Sequence, residues 1–142
     1  MPIRSPVRLA ARLVLALAFA AAGVLHLTSP EPFLSITPGW VPWPEEVIRW
    51  TGVAEIAGAL GLLTRRFRKA AGIGLALYTA CVYPANINHA VMAWEAGAWE
   101  ATRLYHIPRL AFQPVIAWWA LWAAEVIDWP FAVRRRPQPE AR

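Results

Sequence analysis

Four apolar stretches, separated by segments rich in proline, tryptophan or charge, divide the chain. The first, residues 7–27, is almost wholly Ala, Leu and Val, and at 1.5 Å per residue it reaches about 30 Å, the thickness of a hydrocarbon core. Pro44 followed by Glu45 and Glu46 marks a helix start, because proline suits the first turn and carboxylates favour the positive end of the helix dipole. The pattern predicts helices over about 7–27, 47–63, 70–88 and 110–127. Pro84 falls late in the third and should kink it, freeing a carbonyl near Ala80. Residues 29–44 hold five of the thirteen prolines with Trp40 and Trp43, which blocks regular helix and predicts an ordered loop with interfacial aromatic anchors. Residues 91–105 mix Trp94, Glu95, Trp99 and Glu100 and are expected to lie along an interface.

Composition agrees with membrane insertion: 58% of residues are hydrophobic, 16% are charged and nine are Trp, a balance that soluble globular domains seldom have. The net charge of +5 sits in short clusters flanking apolar runs, with no basic-aromatic surface to track a phosphate backbone, which argues against nucleic acid. The single cysteine, Cys81, excludes an internal disulfide or dithiol pair. Eleven of the fourteen Lys and Arg fall in the leader (Arg4, Arg8, Arg12), the 65–69 loop and the tail, so the positive-inside rule puts both termini in the cytoplasm. The expectation is an all-α, four-transmembrane-helix bundle over 1–133 in the cytoplasmic (inner) membrane, followed by a basic, disordered tail over 134–142. The rival reading makes Arg4, Arg8 and Arg12 with LVLALAFAAAG a cleaved signal peptide, leaving three spans.

Glu55 is the outlier. It lies inside the apolar run WTGVAEIAGALGLL, where a charged group costs roughly 2.5–3.5 kcal/mol on insertion scales. Thr51, Gly52, Glu55, Gly58 and Ala59 share one narrow face of small residues, suited to packing against other helices. The expected topology brings His26, His89, His106, Asn86, Asn88, Arg109 and Gln113 to the outer side, above Glu55. Asn86 and His89 are three apart, and Arg109 and Gln113 four apart, so each pair shares a helix face. A polar pocket open to the outer side follows, lined by His26, Glu55, Asn86, Arg109 and Gln113, with His89 and Asn88 as additional members. Each residue also has a plain structural role: Glu55 as a packing carboxyl, His26 as an interfacial cap, Asn86 as a partner for freed backbone, Arg109 as a snorkelling anchor and Gln113 as an interhelical donor. No two histidines have metal- or haem-binding spacing, so no metal is assigned, and neither is a catalytic residue.

The phrases AGVLHLTSPEPFLSITPGWVP (22–42), TGVAEIAGALGLLTRRFRKAAG (51–72), VYPANINHA (82–90) and IPRLAFQPVIAWW (107–119) resemble the motifs of the DoxX-like four-helix membrane proteins. The matched positions are His26, Pro38, Pro42, Glu55, Pro84, Asn86, Arg109 and Gln113; Ala111 and His89 depart from the pattern. The resemblance implies that residues 22–23 and His26 belong to the mature chain, which argues against signal cleavage. It further implies a redox-associated accessory subunit binding a quinone or similar small molecule, not an enzyme by itself, with a redox protein or further copies of the chain as partners. Two alternatives stand beside it. One is a structural or assembly protein in which Glu55 and Arg109 form a buried polar clamp. The other is a proton-coupled small-solute carrier, which at this length would need an oligomer.

Overall fold

The computed structural model describes residues 6–129, and among these residues every regular element is helical. In chain order they are α1 (Pro6–Thr28), α2 (Glu31–Leu34), α3 (Pro44–Leu63), α4 (Arg68–Glu95), α5 (Trp99–Ala101), a π-helical turn (Thr102–His106) and α6 (Ile107–Ala123). The four long helices close a ring of contacts: α1 on α3, α3 on α4, α4 on α6, and α6 back on α1. Neighbours run in alternating directions. Arg12 near the start of α1 hydrogen-bonds the Ala123 carbonyl at the end of α6, and Arg68 at the start of α4 reaches the Leu62 carbonyl at the end of α3. We call this the arginine end; the opposite, loop end carries residues 29–43 and 96–106.

Each long helix buries one stripe at helical spacing, such as Leu15, Ala16, Phe19 and Gly23 on α1 and Ile48, Gly52, Glu55, Ala59 and Leu62 on α3. The apolar core fills the arginine half, where Leu62, Ala120, Ala123 and Ala124 are wholly buried. The loop half of the interior is polar, with Glu55, Thr79, Asn86, Thr102, His106 and Gln113 all buried. Large apolar side chains instead cover the outside, among them Leu13, Leu17, Val53, Leu60, Ile73 and Leu77. α1 and α4 are long and apolar enough to cross a membrane.

Several boundaries differ from the expected ones. The proline-rich segment contains a short helix, α2, because Pro32 sits in its first turn, where a missing N–H costs nothing. α4 runs on to Glu95, so residues 91–95 belong to it and not to an interfacial segment. Gly97, at φ +74°, ends it: the Gly97 N–H bonds the Trp94 carbonyl and the Ala98 N–H bonds the Ala93 carbonyl, a Schellman closure. The same closure ends α6 at Ala123, four residues early, with Glu125 in the left-handed position (φ +62°) that glycine usually takes. The leader's Arg4 and the tail over 134–142, with Arg134, Arg135, Arg136 and Arg142, lie outside the described residues.

Candidate functional site

Two glycines set the geometry around Glu55. A Cβ on Gly23 would stand 2.7 Å from the Gly52 carbonyl oxygen, and one on Gly52 would stand 2.9 Å from the Gly23 carbonyl oxygen, so α1 and α3 meet backbone to backbone here. His26 and Glu55 each follow their glycine by three residues, and in this antiparallel pair each packs over the other helix's glycine; their side chains, leaning back toward their own N-termini, meet across the crossing. His26 Nδ1 lies 2.9 Å from Glu55 Oε2 and also 2.9 Å from the Ala22 carbonyl. A proton on Nδ1 is attracted by both oxygens, whereas a lone pair there would oppose the carbonyl; the geometry assigns the proton to Nδ1. That N–H is directed at Ala22, which leaves Oε2 a close charge contact but no well-aligned donor among the described residues. From α4, the Tyr78 hydroxyl donates to Glu55 Oε1 at 2.8 Å. Glu55, 4% exposed and near the middle of its helix, thus joins three helices.

Phe33 of α2 stacks on the His26 imidazole with ring centroids 3.7 Å apart, covering it on the loop side. The open approach lies elsewhere. A trough of about 600 Å³ runs between α3 and α4 from Thr64 and Phe67 near the arginine end to Tyr78, floored by small residues such as Ala54, Ala57, Gly58, Gly61, Ala71 and Gly74. A Cβ on Gly74 would meet nothing within 4 Å, whereas one on Gly58 would strike Leu75. The trough is lined almost wholly by apolar residues and ends at Tyr78, the residue whose hydroxyl binds Glu55.

The remaining expected residues form a second group. Gln113 Nε2 donates to the Thr79 carbonyl at 3.0 Å, one residue before the position expected to lose its partner to Pro84. The reverse exchange also occurs: Pro114 in α6 cannot bond the Leu110 carbonyl, and the Tyr83 hydroxyl of α4 donates to it at 3.3 Å. Asn86 is buried on the inward face of α4. Asn88 points the other way, its Nδ2 donating to the Ile36 carbonyl at 2.9 Å and tying the proline-rich loop to α4. Arg109 does not meet Glu55. Its Nη1 lies 3.3 Å from His89 Nδ1 and its guanidinium stands 5.9 Å from the Tyr105 ring, so the Glu55–Arg109 clamp is replaced by two separate clusters.

Sequence reasoning missed Tyr78, which reads as core filler in an apolar run; its four-residue spacing from Gly74, on the face opposite Glu55, was the available cue. It also missed a knot at the arginine end. Glu125 Oε1 accepts from Arg12 Nη2 at 2.7 Å and from Arg68 Nη1 at 3.1 Å, while Arg8 pairs with Asp128 at 2.9 Å. Burial works to raise the Glu125 pKa, but the hydrogen bond and charge of Arg12, joined by Arg68 and Arg8, outweigh it and hold the carboxyl below its ordinary value of 4.5.

No curated protein and no solved structure matches the chain. A family model does match, over residues 15–124, which takes in the Glu55 cluster, the trough and the His89–Arg109 group. The chain belongs to that family, described as a domain of unknown function, DUF8561.

Proposed function

We propose that this chain is a four-span membrane protein that binds a small, membrane-soluble, quinone-like molecule, with the ring or head of the ligand at Tyr78 and Glu55 and its apolar part in the α3–α4 trough. The spans are α1, α3, α4 and α6, with the arginine end cytoplasmic, in keeping with Arg8, Arg12, Arg65, Arg66, Arg68 and Lys69 gathered there. At 17 residues α6 alone is a short span, but α5 and the π turn extend its helical backbone back to Trp99. The resemblance to DoxX-like four-helix membrane proteins favours the same number of spans, and the count of Lys and Arg favours the inner membrane with both termini in the cytoplasm.

The observation that carries the reading is the position of Tyr78, at once the end of the trough and the donor to Glu55. Ligand sites are typically apolar clefts of roughly 300–1,000 Å³ with few, well-placed polar groups, and the trough has that character. A carbonyl oxygen at its head would take the one Tyr78 hydroxyl proton that Glu55 accepts in the free protein, and Glu55, once protonated, would donate to the phenolic oxygen in return, with His26 behind it. Electrons for any redox step come from a partner protein. This makes the chain a binding or accessory subunit, and ligand access is lateral from the lipid between α3 and α4.

The test is titration of the detergent-solubilised protein with a short-chain ubiquinone analogue, after lipid extraction to identify any co-purifying quinone. Saturable binding is expected, abolished by Gly74→Phe, which projects a ring into the trough from a position where an added Cβ meets nothing within 4 Å, and weakened about tenfold or more by Glu55→Gln. Binding that survives Gly74→Phe removes the ligand from the trough. A second reading, an assembly protein with no ligand, is favoured by the way Glu55 ties α1, α3 and α4 together; there Glu55→Gln lowers the melting temperature and no analogue binds.

A further inference from the structure

The loop end holds a second polar cluster that the ligand site above does not use. His106 closes the π turn and is 4% exposed, and its Nδ1 is fully buried with no hydrogen-bond partner among the described residues. Leaving such a group unpaired costs about 1–3 kcal/mol, so a buried one points to a partner that arrives from outside. The His89 ring packs edge-on against it, with centroids 4.4 Å apart, and the Arg109 Nη1 reaches His89 Nδ1 at 3.3 Å. If Arg109 donates there, His89 keeps its other ring nitrogen as a donor, and the guanidinium retains further N–H groups. No carboxylate lies within ion-pair distance of Arg109 among the described residues; the acids that do form ion pairs are Glu55, Glu125 and Asp128. The cluster is therefore rich in donors and has no acceptor of its own charge class. The π turn itself arises where Pro108 lacks the N–H that would continue the ladder, and such local helix widening is frequent at functional sites.

We propose that His106, His89 and Arg109 form a binding site for a phosphate-type oxyanion at the loop end. Arg109 supplies the charge and a planar fork of donors, and His89, against which the His106 ring packs, joins it with an N–H, as does His106 in the tautomer that protonates its unpaired nitrogen. Trp94 and Trp99, packed edge to face with centroids 4.1 Å apart and both exposed, flank the same end at the level expected for headgroups. The oxyanion is thus either free in the medium or carried by an anionic lipid of the outer leaflet, and the chemistry of recognition is the same.

The experiment records the imidazole ¹H–¹⁵N signals of the full chain in nanodiscs, with inorganic phosphate titrated into discs of phosphatidylcholine and, separately, with discs of phosphatidylglycerol. Saturable shifts of His106 and His89 with phosphate identify a free anion; shifts only in phosphatidylglycerol identify a lipid headgroup. Either response is expected to weaken about tenfold or more in Arg109→Gln. His106→Phe keeps the ring and its packing and so tests the same site in a folded protein; it is expected to weaken the response of His89. Signals unmoved by both probes, or a response unchanged in Arg109→Gln and His106→Phe, overturn the proposal. None of these outcomes depends on the trough, since the quinone analogue is absent throughout.

Discussion

A carboxyl 4% exposed in the middle of a helix is tolerable only if its oxygens are met, and Glu55 is met unequally. Oε1 has the Tyr78 hydroxyl at 2.8 Å, while Oε2 has only the off-line His26 Nδ1. Tyr78→Phe removes the one well-directed donor and leaves a buried acceptor unpaired, so it should cost about 1–3 kcal/mol, read as a lowered unfolding midpoint in mild detergent. His26→Phe should cost less, because the lost contact to Oε2 is not a directed bond and the stack on Phe33 is kept. At the arginine end, Glu125 supplies a pH dependence. Its pKa is held below 4.5, so its ion pairs contribute fully above that value and are lost as pH falls through the lowered folded value. The melting temperature of wild type should exceed that of Glu125→Gln by a constant margin from neutral pH down to about 4.5, and the margin should close in more acid solution. A margin that instead grows on acidification would show that the Arg12 and Arg68 contacts do not hold the carboxylate form. Glu55 and His26 were legible in the sequence because an ionisable group in an apolar run demands an explanation. Arg12 and Arg68 were not, because their burial depends on where α6 ends, and a basic residue beside an apolar run looks the same whether it faces lipid headgroups or a buried glutamate.

Between elements, the closest approaches are made by glycines and the polar links by prolines. At the α1–α3 crossing an added Cβ would press on backbone in both directions, so Gly52→Ala forces the helices apart instead of displacing a side chain. The expected cost is about 1–3 kcal/mol by overpacking, and His26 should separate from Glu55; a stabilised Gly52→Ala protein would refute this contact. Between α4 and α6, Pro84 and Pro114 each weaken a helix's own ladder; Tyr83 meets the Leu110 carbonyl that Pro114 leaves free, and Gln113 meets Thr79, the carbonyl beside the one that Pro84 leaves free. Gln113→Leu should therefore destabilise more than Tyr83→Phe, since its bond is shorter and wholly buried, 3.0 against 3.3 Å; equal effects in thermal unfolding would count against the exchange. The four long helices were readable from hydrophobic runs, and Pro44 placed the start of α3 within three residues. The helix ends were harder. Gly97 offered a standard stop that the mixed apolar and charged composition of residues 91–105 obscured, and Glu125 offered none, because a non-glycine left-handed residue costs about 1–2 kcal/mol and is chosen only with compensation that sequence does not display. Here the compensation is the pair of guanidinium groups on its carboxyl.

Across the whole molecule the interior is half polar and the exterior is apolar, the reverse of a soluble helical domain. Leu13, Leu17, Val53, Leu60, Ile73 and Leu77 would each leave bare hydrocarbon in water, and on a chain of this length such a surface predicts aggregation outside a bilayer or detergent. Most of the exposed aromatics sort by level: Trp40, Trp43, Trp94, Trp99 and Tyr105 at the loop end and Phe67 and Trp129 at the arginine end, with Trp50 and Phe112 further along their helices, an arrangement suited to two interfaces. The four-span reading makes a sharp prediction with the single natural cysteine. Cys81 is exposed at mid-helix in α4, so it should face lipid and resist a membrane-impermeant maleimide in intact cells, yet react once detergent admits the reagent. In a cysteine-free background that reading has Trp40→Cys labelled from outside the cell and Arg66→Cys only after the membrane is opened, since it puts the end with the excess of basic residues in the cytoplasm. Labelling of Arg66→Cys from outside would invert the bundle and put the oxyanion cluster in the cytoplasm. Equal labelling of both positions from outside would remove α3 from the membrane altogether, and with it the lateral route to Tyr78.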